Sequence, residues 1–171
     1  MPDKQAPGRR IVVGVDGSAS SKAALAWAVR QAELTGAGVE AVIAWHDPLM
    51  LGGVPFVPTA ALESADYGEF AALVLGNAIR ETVDSAGPVK VSPVVRAGSP
   101  AQVLLTASDG ADLLVVGSRG HGGFTEALLG SVSQACVHHA RCPVVIIREP
   151  AHEGRPVGED RSAGRATAPP A

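Results

Sequence analysis

The 171-residue sequence is 46% hydrophobic and 18% charged, against roughly 25% charged in an average domain; this fits one compact domain with a well-filled core and argues against two. A formal net charge of −3 and an aromatic content of 4% remove both the general attraction to phosphate backbones and the platforms on which bases stack, so nucleic acid is excluded as a primary partner. No apolar stretch approaches the ~18 residues of a membrane span or forms a signal peptide, and only two cysteines, Cys136 and Cys142, are present, which fits a reducing compartment; the expected location is the cytoplasm, with no membrane partner.

Residues 1–8 are expected to be disordered and residues 9–149 to form the domain. Ile11, Val12, Val13 and Val15 in "RRIVVGVDGS" make a short unbroken apolar run, the signature of a strand buried on both faces. It stops at Asp16-Gly17. Ser18 then caps a helix running to about Thr35, with Leu25, Val29 and Ala32 on one face and Gly36 as its stop. A second strand covers residues 39–45, and a helix covers about residues 61–84 with Phe70, Leu73, Val74 and Ala78 on one face. "VKVSPVVRAG" holds the third strand. Ser99 as N-cap, Pro100 at the first helical position and Gln102 three residues after the cap start a third helix that ends near Asp109-Gly110. "ADLLVVG" is a fourth strand, "SVSQACVHHA" a fourth helix opening on Ser131 and Gln134 as another Ser-x-x-Gln cap, and "PVVIIRE" a fifth strand. Strands alternating with helices at this spacing predict an α/β domain: an open, doubly wound, five-stranded parallel sheet in the order 3-2-1-4-5 with helices on both faces. Residues 150–171 carry almost nothing large and apolar and are expected to be a disordered tail.

The glycines at 117, 120, 122, 123 and 130 cluster where the fourth strand hands over to its helix. Glycine there means an awkward turn or a backbone that something approaches closely. A Walker A loop needs a Gly-Lys pair, which the chain lacks, and a dinucleotide fingerprint fails at Thr125 when begun at Gly120 and at Arg119 when begun at Gly117. The spacing that fits is Gly117-x2-Gly120-x9-Gly130-Ser131. With "IVVGVDGS", "SKAALAWA", "RAGSPAQVLL", "ADLLVVGSRGHGG" and "HARCPVVIIR" in that order over residues 9–148, the chain resembles the ATP-binding branch of the universal stress protein family.

That resemblance implies ATP with Mg as the bound cofactor. Gly117 and Gly120 would let the backbone close over the inner phosphates, Gly130 and Ser131 would meet the terminal phosphate, and Asp16 would approach the ribose or the metal ion, with Gly14 leaving room beside it. Ala44 and its neighbours up to Asp47 would flank the adenine. The candidate binding set extends to Val15, Ser118, Arg119, Gly122, Gly123, Val132 and Ser133. Independently, an order that reverses between strands 1 and 4 places a ligand crevice beyond their carboxyl ends, flanked by the loops that carry Asp16 and the glycines. The expected function is regulatory, acting in a stress or dormancy response through nucleotide occupancy and an unidentified protein partner. A slow Mg-dependent ATPase or phosphotransfer enzyme using Asp16, and a binder of another adenine nucleotide such as a cyclic one, are the alternatives. The fifth strand forms a sheet edge whose unpaired N–H and C=O groups invite a second copy, and the resemblance implies a homodimer through that strand.

Simpler readings stand beside these. Gly122 and Gly123 can be plain loop, Ser131 a helix cap and Asp16 a turn residue. Arg119 and His121 read as solvated loop charges. His138 and His139, near Cys136 and Cys142, point about 100° apart on their helix and read as packed or helix-end residues before metal ligands. The apolar loop at 47–59 suits either a lid or cover for the sheet edge.

Overall fold

A computed structural model describes residues 9–45, 64–84, 87–120 and 129–148 of the chain. The expectations for residues 1–8, the loop at 47–59, His121, Gly122, Gly123 and the tail from 150 lie outside them. The elements follow in the predicted alternation: β1 (Arg10–Gly14), α1 (Ala19–Thr35), β2 (Gly38–Trp45), α2 (Ser64–Thr82), β3 (Val91–Ala97), α3 (Pro100–Ala107), β4 (Leu113–Gly117), α4 (Ser131–His139) and β5 (Val144–Ile147). The strands form one parallel sheet in the order β3-β2-β1-β4-β5, as read from the sequence.

The unbroken apolar runs have a direct cause. Along β1, Ile11 and Val13 turn to one face and Val12 to the other, and all three are buried because both faces are covered. On one face α1 contributes Leu25, Ala28 and Ala32, and α2 contributes Ala71, Leu75 and Ala78. On the other, α3 and α4 press Leu104 and Cys136 against Val12, Val42, Leu114 and Val116.

The ends of α1 follow the sequence signals. The Ser18 hydroxyl accepts from the Ser21 N–H at 3.2 Å, and Gly36 takes φ +70° while its N–H donates to Ala32 O at 2.8 Å, a left-handed stop that glycine alone adopts without strain. The other starts differ in detail. Ser99 is the N-cap of α3 and Pro100 its first residue, but the Ser99 hydroxyl makes no capping bond, and the helix ends at Ala107, two residues early. The N-cap of α4 is Gly130, so Ser131 already lies inside the helix.

The face of α2 departs from expectation. Phe70 and Leu73 are 67% and 63% exposed, Val74 is half-buried, and the inward stripe is Ala71, Leu75 and Ala78 at i, i+4, i+7. Of the expected face, Ala78 is buried and Val74 packs against the core, while Phe70 and Leu73 turn outward because the stripe is centred on Leu75, fully buried between Ala71 and Ala78.

The two sheet edges are unlike. Val39 N–H donates to Lys90 O at 3.1 Å and Gly98 N–H to Trp45 O at 2.7 Å. Even-numbered residues of β3 therefore bond β2 and odd ones face the free edge. Pro93 is one of the odd residues, so its missing N–H falls on the open side, where proline is tolerated and blocks pairing. On β5 the acceptors to β4 are Pro143 O and Ile147 O, which leaves Val144 and Ile146 facing outward with no such guard.

Candidate functional site

β1 and β4 are neighbours whose helices leave toward opposite faces of the sheet, α1 to one and α4 to the other. A cleft of about 550 Å³ opens beyond their carboxyl ends, where the strand order demands one. Of the candidate residues that are described, Gly14, Val15, Asp16, Ala44, Gly117, Arg119, Gly120, Gly130, Ser131, Val132 and Ser133 line it. Ser118 does not. It is 4% exposed, its N–H donates to Ile147 O at 2.7 Å and its carbonyl accepts from Gly130 N–H at 2.8 Å, so it fastens the turn to β5 and α4.

The lining has two chemistries. Val15, Val42, Ala44, Pro100, Leu104 and Val116 supply apolar wall, while Asp16, Arg119, the backbone at Gly120 and the first turn of α4 supply polar groups. Within that turn the first intrahelical bond runs from Gln134 N–H to Gly130 O at 2.9 Å. The N–H groups of Ser131, Val132 and Ser133 are thus the orphan donors of the helix start, where the helix dipole favours an anion. The Ser131 side chain makes no hydrogen bond among the described residues and, being past the N-cap, is not the cap that the simpler reading made it. Ser133 turns inward, and its hydroxyl donates to Gly117 O at 2.6 Å.

Asp16 is the turn residue of the simpler reading, and it also lines the cleft. Its Oδ1 accepts from the Ser18 N–H at 2.9 Å and the Ser18 hydroxyl at 2.6 Å, an Asx turn that sets up α1. Its Oδ2 points across the cleft, 2.5 Å from the position that a Cβ on Gly120 would occupy.

The glycines divide by what fills the space of the missing side chain. A Cβ on Gly117 would stand 2.5 Å from Ser20 Oγ, 2.9 Å from Ser20 C and 3.0 Å from Ser21 N. The start of α1 therefore packs on that position, and the expectation that this space belongs to phosphate is corrected. Gly14 is similar, because a Cβ there would meet Leu104 Cδ1 at 2.8 Å; the room expected for ligand beside it is taken by a leucine. Gly130 is different. Its φ of −69° is open to any residue, and the nearest described atoms to a Cβ there lie at 3.6 Å, ordinary contact. No described neighbour requires glycine at 130.

Val42, Pro100, Leu104, Val116, Leu129 and Gln134 also line the cleft and were missed. Leu129 lies inside the glycine motif and Gln134 just after it, so both were within reach of a sequence reading. Pro100 and Leu104 were not, since α3 follows β3, at the far edge, and reaches the cleft only by crossing back over β2 and β1.

The histidines and cysteines stay outside this site. His138 and His139 are exposed in the last turn of α4, which leaves the helix-end reading and removes the packed one. No group of three or more His, Cys, Asp or Glu residues suited to a metal ion occurs among the described residues. Cys136 is fully buried and unpaired. Burial, and secondly the nearby Cys142, push its thiol from an ordinary 9.0 up to about 11, away from the thiolate form that nucleophilic or metal-binding cysteines need.

The family profile described as "Universal stress protein family" matches residues 8–148. A universal stress protein of Mycobacterium tuberculosis is 39% identical over 150 residues, 87% of this chain and 48% of that protein, so the chain spans about half the length of the curated relatives it matches. Among solved structures, the universal stress protein UspA from Lactobacillus plantarum superposes with a TM-score of 0.66 at 24% identity, covering 84% of this chain and 99% of its own. A universal stress protein in complex with cAMP superposes with a TM-score of 0.52 at 25% identity, covering 81% and 95%. Among the described residues no helix is long and apolar enough to cross a membrane.

Proposed function

The chain belongs to the universal stress protein family, and on that premise we propose that it binds an adenine nucleotide, ATP foremost, and works as a regulator whose partners change with nucleotide occupancy. The observation that carries this reading is the cleft itself: an apolar wall that suits a purine, facing the orphan N–H groups of residues 131–133 that suit phosphates, at the point where the strand order reverses. Glycine at 130, which no described neighbour requires, is accounted for by close approach of a terminal phosphate. A relative with bound cAMP makes a cyclic nucleotide the alternative to measure against ATP.

Mg fits the donor set in a limited way. This ion is commonly held by one or two carboxylates together with substrate phosphates, and Asp16 Oδ2, directed at Gly120, is one such oxygen inside the cleft. When bound there with ATP, the ion would neutralise phosphate charge. Asp16 would hold it, Ser18 would orient Asp16 through Oδ1, and the first turn of α4 would hold the phosphate. Slow hydrolysis is the enzymatic alternative, separated from pure binding by turnover of labelled ATP in the parent and in Asp16→Ala.

The test is a mass spectrum of nucleotide released from protein purified without added ligand, followed by calorimetry with ATP, AMP and cyclic AMP. ATP is expected to be released and to bind tightest. Failure of all three to bind at millimolar concentration overturns the reading, and tighter binding of cyclic AMP replaces ATP with the alternative. We also propose a homodimer through β5, supported by the unguarded outward residues Val144 and Ile146 at that edge and by Pro93 blocking the other. Light scattering over a dilution series checks it, and a monomer at high micromolar concentration refutes it.

A further inference from the structure

The turn between β4 and α4 sends three consecutive carbonyls to three different donors. Gly117 O accepts from the Ser133 hydroxyl at 2.6 Å, Ser118 O accepts from Gly130 N–H at 2.8 Å, and Arg119 O accepts a hydrogen bond from the hydroxyl of Ser20. The first two donors belong to α4 and the residue that caps it. The third comes from the first turn of α1, which packs on Gly117, and Ser20 is only 2% exposed.

In a trans peptide the C=O of one residue and the N–H of the next point in opposite directions. Holding Arg119 O against α1 therefore turns the Gly120 N–H away from α1. The Gly120 nitrogen itself stands beside the start of α4, 3.9 Å from the position a Cβ on Gly130 would take. The same contact explains Gly117, whose absent side chain leaves the space that Ser20 Oγ occupies.

We infer that Ser20 is a positioning residue for phosphate, its hydroxyl fixing the Arg119–Gly120 peptide so that the Gly120 N–H joins those of residues 131–133 as a donor to the nucleotide's phosphate oxygens. This rests on the adenine-nucleotide reading and adds a residue to it that does not itself line the cleft. Loss of the hydroxyl frees the peptide to rotate, so its effect is confined to ligands that carry phosphate. A serine that served packing alone would act on all ligands alike or on stability only.

The experiment compares ATP with adenosine on the full chain by calorimetry, in the parent, in Ser20→Ala and in Ser108→Ala. Ser108 is likewise buried and bonds a backbone carbonyl, Leu105 O at 3.0 Å, on the last turn of α3 outside the cleft, so it reports the effect of losing a buried serine hydroxyl elsewhere. Ser20→Ala is expected to weaken ATP about tenfold and adenosine less than twofold, a loss on the order of 1.4 kcal/mol confined to the phosphate-bearing ligand, with Ser108→Ala unchanged for both. ATP bound by Ser20→Ala as tightly as by the parent, or ATP and adenosine weakened equally, overturns the inference and leaves nucleotide binding intact. A parent that binds neither ligand removes the functional reading together with it. Nuclear magnetic resonance of the parent gives a readout free of any folding defect: the Gly120 amide proton moves downfield with ATP and not with adenosine, and an amide indifferent to ATP refutes the assignment.

Discussion

Gly117 and Gly130 stand at the two ends of the same turn, yet the missing side chain serves a different neighbour at each. At Gly117 the space is filled by the protein, by the hydroxyl and backbone of Ser20 and the N–H of Ser21. At Gly130 the nearest described atoms are at contact distance or beyond and φ is unstrained. Gly117 is thus a packing device that lets the sheet and α1 close up, whereas Gly130 has no such packing and, under the proposed nucleotide binding, is clearance for ligand. The two uses separate because a packed glycine changes stability on substitution and a clearance glycine changes affinity.

The largest effect is expected at the packed end. Gly117→Ala pushes a methyl group into the backbone of α1, and overpacking of this kind costs about 1–3 kcal/mol; urea denaturation measures it, and a variant as stable as the parent would break the comparison outright. At the open end, Gly130→Ala should cost no more than about 1 kcal/mol, the preference for glycine over alanine at an N-cap, while ATP affinity drops on the order of tenfold. Calorimetry beside a melting curve distinguishes that from a folding defect, and the comparison fails at this end if affinity is retained. Gly14→Ala belongs with the packed class but meets only the end of the Leu104 side chain, which can swing aside, so a cost near ~1 kcal/mol, the low end of overpacking, is expected in the same denaturation assay. Gly120→Ala crowds Asp16 Oδ2, which is again a side-chain end. Little change in melting is expected, with the gain in ATP affinity on adding Mg reduced relative to the parent. Titrations with and without a chelator read that gain, and an undiminished Mg response would remove Asp16 from the proposed metal contact.

Much of the fold was legible because parallel strands covered on both faces appear as unbroken apolar runs, as in Ile11 to Val13. The stops were legible as well, since only glycine readily takes the φ of +70° found at Gly36. Side-chain bulk misled part of the reading of α2: Val74 and Ala78 do face the core, but Phe70 and Leu73, expected inward, lie outside the packed stripe of Ala71, Leu75 and Ala78. Asp16, Gly120 and Gly130 were placed correctly at the cleft because they lie in loops whose position follows from strand order alone. Leu104, Pro100 and Ser20 were not legible, because what each faces is decided by residues far away in the chain.

The order of elements, the winding of the sheet and the location of the crevice were determined by the sequence alone, through local hydrophobic periodicity and the constraint that a doubly wound sheet reverses beside its first strand. Which atoms occupy the space of each missing side chain was decided only by the tertiary structure. That space is filled across 90 residues or more: by Leu104 for Gly14 and by Ser20 for Gly117. The physical reason is that close packing is a property of surfaces brought together by folding, and a glycine has no side chain from which its neighbour could be read beforehand.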